Sequence, residues 1–137
     1  MSGLKAFLKQ NKKDNGTVKV VASNSFIGED GKPMEWEIRP LKTKEAEHIR
    51  SMTMSIGKGG KVNTDTAAFN RSVAAKCTVF PDLNDVELQD SYGVMGAEEL
   101  IQEMLDKDGD YQKYVKEILK ISGFDTTDAQ LKEDVKN

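Results

Sequence analysis

The chain has 137 residues, of which 31% are charged and 37% hydrophobic, and its formal net charge is -3. That length suits about one domain with its own core. The two charge signs are interspersed without a basic face, and no apolar run is long enough to span a membrane, so nucleic acid and membranes are poor candidate partners.

The cysteine content and the N-terminus both bear on the compartment. The single cysteine, Cys77, cannot form a disulfide within the chain, which agrees with a reducing compartment. The N-terminal sequence MSGLKAFLKQNKK has only a short, interrupted apolar stretch and no small-residue cleavage site, so no secretory signal is predicted. We therefore expect a cytoplasmic protein.

The first forty residues predict a short helix and two strands. Residues 2–10 are predicted to form the helix, with Ser2 as its cap, and the helix either packs on the domain or serves as a docking arm. Residues 17–22 are rich in β-branched side chains, and residues 34–41 alternate apolar and charged positions. The strands predict an antiparallel hairpin with one face in water, in which Trp36 is expected to anchor the core rather than to bind a partner.

A helix and a glycine-rich segment are predicted next. Pro40 either ends the second strand or marks it as an edge strand. Thr43 is the predicted N-cap of a helix that carries glutamates in its first turn and runs through Met54. The sequence GKGGK at residues 57–61 lacks the spacing and the hydroxyl residue of a phosphate-binding loop. We interpret it as a flexible linker.

The middle of the chain predicts two further helical segments. A cap at Asn63, Thr64 or Asp65 begins a helix whose apolar positions are largely small residues and end at Cys77. Pro81 then breaks the chain before a short helical turn around residues 86–89.

Residues 96–124 predict two amphipathic helices, whose connection at residues 106–110 reads DKDGD. The carboxylates at calcium-loop spacing are Asp106, Asp108, Asp110 and Glu117. The sixth loop position, which requires glycine, is Tyr111, and the helical pattern already begins there. We therefore favour a helix end, a glycine turn and an N-cap without a metal, with Gly123 as the C-cap of the second helix.

Catalysis, zinc binding and cofactor binding are not predicted. His48 is the single histidine, so a nucleophilic pair with Cys77 is formally possible. Cys77, however, ends an alanine-rich apolar face, where cysteine behaves as a small hydrophobe. One cysteine and one histidine are also too few for a zinc site. We expect a protein that is not an enzyme and carries no cofactor.

These elements predict an α+β fold, with an N-terminal antiparallel β-hairpin packed on a mainly helical domain of about four to five helices. Residues 1–124 are expected to form a single globular domain, and residues 125–137 a flexible C-terminal tail. The apolar faces of the last two helices should mostly close on the core. The residues predicted to contact a partner are Met104, Tyr111, Tyr114 and Phe124.

Three segments in succession resemble the XkdN-like tail assembly chaperones of phages and PBSX-type prophages. They are MEWEIRPLKTKEAEHIR, PDLNDVELQDSYGV and the helices EELIQEML and YQKYVKEILKISGF. The resemblance covers roughly residues 5–124 and lies in the order of the segments. It implies a non-catalytic protein of the bacterial cytoplasm that binds the tape measure protein, keeps it soluble and helps tail tube subunits polymerise around it without entering the finished particle.

Two classes of function stay open. The first is an assembly chaperone that binds a long helical partner, and the second is a structural tail component that is retained in the particle. The helix-rich pattern favours the first class, because a tube subunit is expected to supply long strands for ring formation. The sequence makes no prediction about the oligomeric state.

Overall fold

The structure, a computed structural model, describes residues 3–14 and 16–124. Within these residues the strands are β1 Val18–Val20, β2 Trp36–Ile38, β3 Met54–Ile56, β4 Val62–Thr64 and β5 Thr78–Phe80. The α-helices are α1 Thr43–Thr53, α2 Thr66–Cys77, α3 Val86–Ser91, α4 Ala97–Met104 and α5 Asp108–Ile121. The α+β prediction is therefore confirmed. The predicted cap at Ser2 and the predicted tail at residues 125–137 lie outside the described residues.

The N-terminal hairpin is part of a three-stranded antiparallel sheet in the order β1-β2-β5. Val18 pairs with Ile38 on one side, and Ile38 pairs with Thr78 on the other. The prediction of the hairpin is confirmed. The alternative in which Pro40 marks an edge strand is wrong, because β5 pairs with the far side of β2 and makes it the central strand.

The N-terminal segment forms short 3₁₀ turns, Gly3–Phe7 and Lys9–Asn11, in place of the predicted helix. Its apolar side chains Leu4, Phe7 and Leu8 are exposed to solvent. Of the two predicted arrangements, the structure therefore contains an exposed arm.

A second hairpin replaces the flexible linker predicted at residues 57–61. Strands β3 and β4 pair antiparallel, with Ile56 opposite Val62. The amide of Gly57 donates a hydrogen bond of 2.7 Å to the carbonyl of Lys61 and closes the turn. The linker interpretation is wrong, because glycines at this position provide the positive φ of a tight turn as readily as they provide flexibility.

The observed N-caps of α1 and α2 can be compared with the predicted ones. The N-cap of α1 is Lys42, whose amide donates to the Glu45 carboxylate at 3.0 Å, so Thr43 is the first helical residue rather than the predicted cap. The N-cap of α2 is Asp65, whose carboxylate accepts a hydrogen bond of 3.0 Å from the amide of Ala68. Asp65 is one of the three predicted caps.

The two amphipathic helices at the C-terminal end are present as α4 and α5. Helix α5 begins at Asp108, so Gly109 lies in its first turn and not in the predicted glycine turn. Gly123 follows the helix with a φ of 89°, and the amide of Phe124 donates to the carbonyl of Leu119 at 3.0 Å. This arrangement confirms Gly123 as the C-terminal cap of the helix.

The core forms where the sheet meets α2, α4 and α5. Trp36 is 2% exposed and packs edge-on against Tyr114, with 5.4 Å between the ring centroids. The Tyr114 hydroxyl lies 2.5 Å from Oγ1 of Thr78, which itself donates to the carbonyl of Ala74 at 2.7 Å. Because Thr78 has only one hydroxyl proton, Tyr114 is the donor in this pair. The expectation that Trp36 anchors the core is confirmed.

The segment that follows β2 is held by four further hydrogen bonds. The amide of Arg39 donates to the carbonyl of Cys77 at 2.9 Å, and its guanidinium binds the Glu45 carboxylate through two contacts of 2.9 and 2.8 Å. The amide of Leu41 donates to Oγ of Ser122 at 2.8 Å. These contacts place the start of α1 beside the C-terminal ends of α2 and α5.

The hydroxyls of Tyr114 and Tyr111 offer a matched test of this core. The Tyr111 hydroxyl is buried without a hydrogen-bond partner among the described residues; the Gln102 side chain is near enough to affect its pKa but not in hydrogen-bonding geometry. Tyr114→Phe should lower the free energy of unfolding by about 1 kcal/mol, because it removes a hydrogen bond, whereas Tyr111→Phe should leave it unchanged or raise it. Urea denaturation measures both, and equal losses would contradict the assignment.

Candidate partner-binding surface

Three of the four residues predicted to contact a partner lie in the core. Met104, Tyr111 and Tyr114 are 6%, 8% and 2% exposed, whereas Phe124 is 36% exposed. The apolar faces of α4 and α5 thus close against the sheet and α2, although a cavity of about 470 Å³ remains between α5 and residues 20–24, and Tyr114 contributes to its lining. Their burial makes these three residues part of the core of the isolated chain, and their contact with a partner stays a prediction. Phe124 stays a predicted contact.

The carboxylates at calcium-loop spacing do not surround a common point. Asp108, Asp110 and Glu117 lie along α5, and Asp106 precedes it. A calcium loop needs irregular backbone that turns its ligands inward, and this segment is helical instead. Over residues 3–14 and 16–124, no group of three or more histidine, cysteine, aspartate or glutamate side chains could hold a metal ion.

The formally possible nucleophilic pair is not assembled either. Cys77 is fully buried, and burial raises the pKa of its thiol to about 11, although the nearby Arg39 opposes the shift. The thiol is therefore protonated at neutral pH and out of reach of a substrate. His48 lies exposed on α1.

Three of the surfaces that expose large apolar side chains are candidates for binding a partner. The first is the N-terminal arm, residues 3–11, with Leu4, Phe7 and Leu8. The second is the β3–β4 hairpin, in which Met54, Ile56 and Val62 share one face because paired and alternate residues of a hairpin point the same way. The third is a groove bounded by α1, α2 and the start of α4.

The groove has a volume of about 850 Å³, and several of its lining residues are small. Ser72 and Ala75 of α2 and Ala97 of α4 line it, and these short side chains let a ligand approach the backbone closely. Two methionines border it, Met52 from α1 and Met95 from the residues before α4, and they are 73% and 89% exposed. The methionine side chain is flexible and adapts its shape to an apolar ligand.

The charges of the groove fall into paired and unpaired groups. Glu45 is bound by Arg39, whose hydrogen bond lowers the pKa of the Glu45 carboxyl, and Arg71 contacts Glu98 at 3.3 Å. The charged residues of the groove with no ion-pair partner among the described residues are Lys44, Lys76 and Glu99. The α1 and α2 side is therefore basic, and the α4 side carries the carboxylates.

The sequence contained little that could have identified this groove. Met52 lies in the apolar pattern of α1 and reads as a core residue, while Met95 belongs to no periodic pattern. The surface arises from the way three helices meet, which a local pattern does not reveal. In the part of the chain that the structure describes, no helix is both long and apolar enough to cross a membrane.

The sequence and the fold were compared with known proteins. A family model described as phage XkdN-like tail assembly chaperone protein matches residues 4–136. The phage-like element PBSX protein XkdN of Bacillus subtilis strain 168 is 23% identical to the chain over 124 residues, which span 88% of this chain and 84% of that protein. Uncharacterized protein YqbN of the same strain is also 23% identical over 124 residues, spanning 88% and 83%.

A solved structure supports the fold. The crystal structure of YqbN matches with a TM-score of 0.78 at 21% sequence identity, and the match covers 91% of this chain and 99% of that one. At this level of identity the likeness concerns the fold alone. It supports an α+β arrangement for the present chain.

The buried thiol predicts a loss of stability in alkaline solution. The pKa of Cys77 is about 11 in the folded protein against a reference value of 9.0, so between these pH values the unfolded chain loses a proton that the folded chain keeps. The free energy of unfolding should therefore fall with rising pH, by at most about 1.4 kcal/mol per pH unit from this group. Urea denaturation from pH 8 to pH 11 measures the slope.

A Cys77→Ala variant is the control for this prediction. The substitution lowers stability at every pH because it leaves a cavity, so the comparison uses the slopes and not the absolute values. The variant should have a shallower slope above pH 9. The residual slope includes Tyr114, because burial raises the pKa of its hydroxyl as well. Identical slopes in the two proteins would contradict a protonated native thiol.

Proposed function

Because the chain belongs to the XkdN-like family of phage tail assembly chaperones, whose family model matches residues 4–136, we propose that it binds the tape measure protein while the tail is being built. It keeps that protein soluble and helps tail tube subunits polymerise around it. It acts in the cytoplasm of the bacterial host and leaves before the particle is complete. The family match over nearly the whole chain is the observation that carries this proposal.

The surface of the protein supports a role in binding. The exposed side chains of Met52 and Met95 border the groove. Burial of such surface drives most protein association, and its exposure marks interaction sites. A chaperone for an amphipathic chain needs surface of this kind.

The chemistry of the described residues supports a role without catalysis. The Cys77 thiol is buried and protonated at neutral pH, while His48 lies exposed on α1. A nucleophile needs a base within hydrogen-bond reach and access to a substrate, and this thiol lacks the access. We propose that the protein acts by binding and release.

The lengths of the strands favour a chaperone over a retained structural component. Each of the five described strands spans three residues. A tube subunit would be expected to contribute longer strands to a ring, because neighbouring subunits pair through continuous ladders of backbone hydrogen bonds.

Co-expression tests the first part of the proposal. The tape measure protein encoded in the same gene cluster should be mostly insoluble when it is expressed alone, and soluble when it is expressed with the tagged chain. The two proteins should then co-purify on the tag. A tagged, unrelated protein of similar size serves as the control. If the tape measure protein stays insoluble and does not co-purify, the proposed partner is wrong.

Mass spectrometry of purified tails tests the second part. Intact tails should contain the tape measure and tube proteins but only traces of this chain, because a chaperone is released during assembly. Lysates taken during assembly should contain it in abundance. Stoichiometric amounts in finished tails would instead support a retained structural component.

A further inference from the structure

We propose that the groove is the docking site for one amphipathic helical segment of the partner, an inference that rests on the proposed function and locates its binding surface. The segment has an apolar stripe along one face. Carboxylates flank the stripe on the side of α1 and α2, and lysine or arginine flanks it on the side of α4. Shape, exposed apolar surface and charge each support this occupant.

The dimensions of the groove suit a helix. Lys44, His48 and Met52 line it at intervals of four residues along α1, so the wall they form is roughly 12 Å long at a rise of 1.5 Å per residue. That length matches about two turns of a bound helix. The small lining residues Ser72 and Ala75 allow the helix to approach α2 at close range.

The two methionines supply apolar contacts from different elements. Met52 and Met95 are 73% and 89% exposed although both border the same concave surface. A helix in the groove would remove both side chains from water, and apolar residues spaced three and four apart along one face of the helix would reach them. A bound helix would therefore give the two exposed methionine side chains the apolar contacts that they do not have in the isolated chain.

The charges specify the flanks of the bound segment. Lys44 and Lys76 have no ion-pair partner among the described residues, and the neighbouring carboxylate of Glu45 is already bound by Arg39. On the opposite side lie Glu98 and Glu99, of which only Glu98 contacts a cation. Partner carboxylates are therefore attracted to the first side and partner cations to the second, which also fixes the direction of the helix.

The N-terminal arm and the β3–β4 hairpin are weaker candidates for this role. The hairpin is only two strands, and the arm consists of short 3₁₀ turns without buried residues, so a helix bound to either would stay largely in water. They provide matched controls instead, because Phe7 is 84% exposed and Ile56 is 80% exposed, close to the values for the two groove methionines.

Binding of overlapping synthetic peptides that together cover the tape measure protein sequence tests the site. We expect at least one synthetic 30-residue peptide to bind the intact chain, measured by fluorescence anisotropy, and to contain the described stripe and flanks. The double variant Met52→Asp with Met95→Asp should bind it at least tenfold more weakly. Phe7→Asp and Ile56→Asp should change the affinity less than twofold. Circular dichroism confirms that each variant is folded, as substitution of exposed side chains predicts.

Reversal of charge tests the orientation. The double variant Lys44→Glu with Lys76→Glu should also weaken binding at least tenfold. Replacing the flanking carboxylates of the bound peptide with lysine should restore at least part of the lost affinity. A peptide whose binding is not restored, or is unaffected by the reversal, would overturn the charge assignment and with it the proposed direction.

The remaining outcomes separate the two proposals. If the groove variants capture the intact tape measure protein as well as the wild type does, the groove inference fails and the proposed function stands. If the wild type binds neither the peptides nor the intact protein, the proposed function fails. A dimer that light scattering detects in the wild type but not in Met52→Asp with Met95→Asp would show that a second copy occupies the groove, which also overturns the inference.

Discussion

The contact among Tyr114, Trp36 and Thr78 joins the sheet to the helices. The ring of Tyr114 on α5 packs edge-on against Trp36 of the central strand, and its hydroxyl bonds to Thr78, where α2 passes into β5. Phe26 packs on the same indole, with 5.8 Å between centroids. One side chain therefore ties three elements together. The Tyr114 side chain combines a buried aromatic ring with a hydrogen-bonded hydroxyl. This contact therefore fixes the position of the helices on the sheet.

A closed core has a direct consequence for binding. The apolar faces of α4 and α5 pack against α2 and the sheet, and Leu100, Ile101 and Ile118 are fully buried there. In the isolated chain these side chains are therefore not accessible to a partner. The ion pair between Arg39 and Glu45 anchors the start of α1 and so shapes one wall of the groove.

Local signals in the sequence located most of the helices but only part of the sheet. The alternation around Trp36 predicted β2, and the cap of α2 is Asp65, one of the three predicted candidates, because each signal reports a local physical preference. Strands β3, β4 and β5 were missed, because Met54 was assigned to the preceding helix, residues 63–65 to the cap of the next helix and residues 78–80 to no element. The β-branched and aromatic run Thr78–Phe80 was the one available signal for β5.

The sequence by itself determined the fold class, the two C-terminal amphipathic helices and the family, because composition, periodicity and segment order are properties of the chain. Only the tertiary structure decided which apolar residues face water. Tyr114 and Met52 both occupy apolar positions of amphipathic helices, yet the first is buried and the second is exposed. Periodicity identifies the apolar face of a helix, whereas exposure depends on whether another element packs against it, and that is decided by the whole fold.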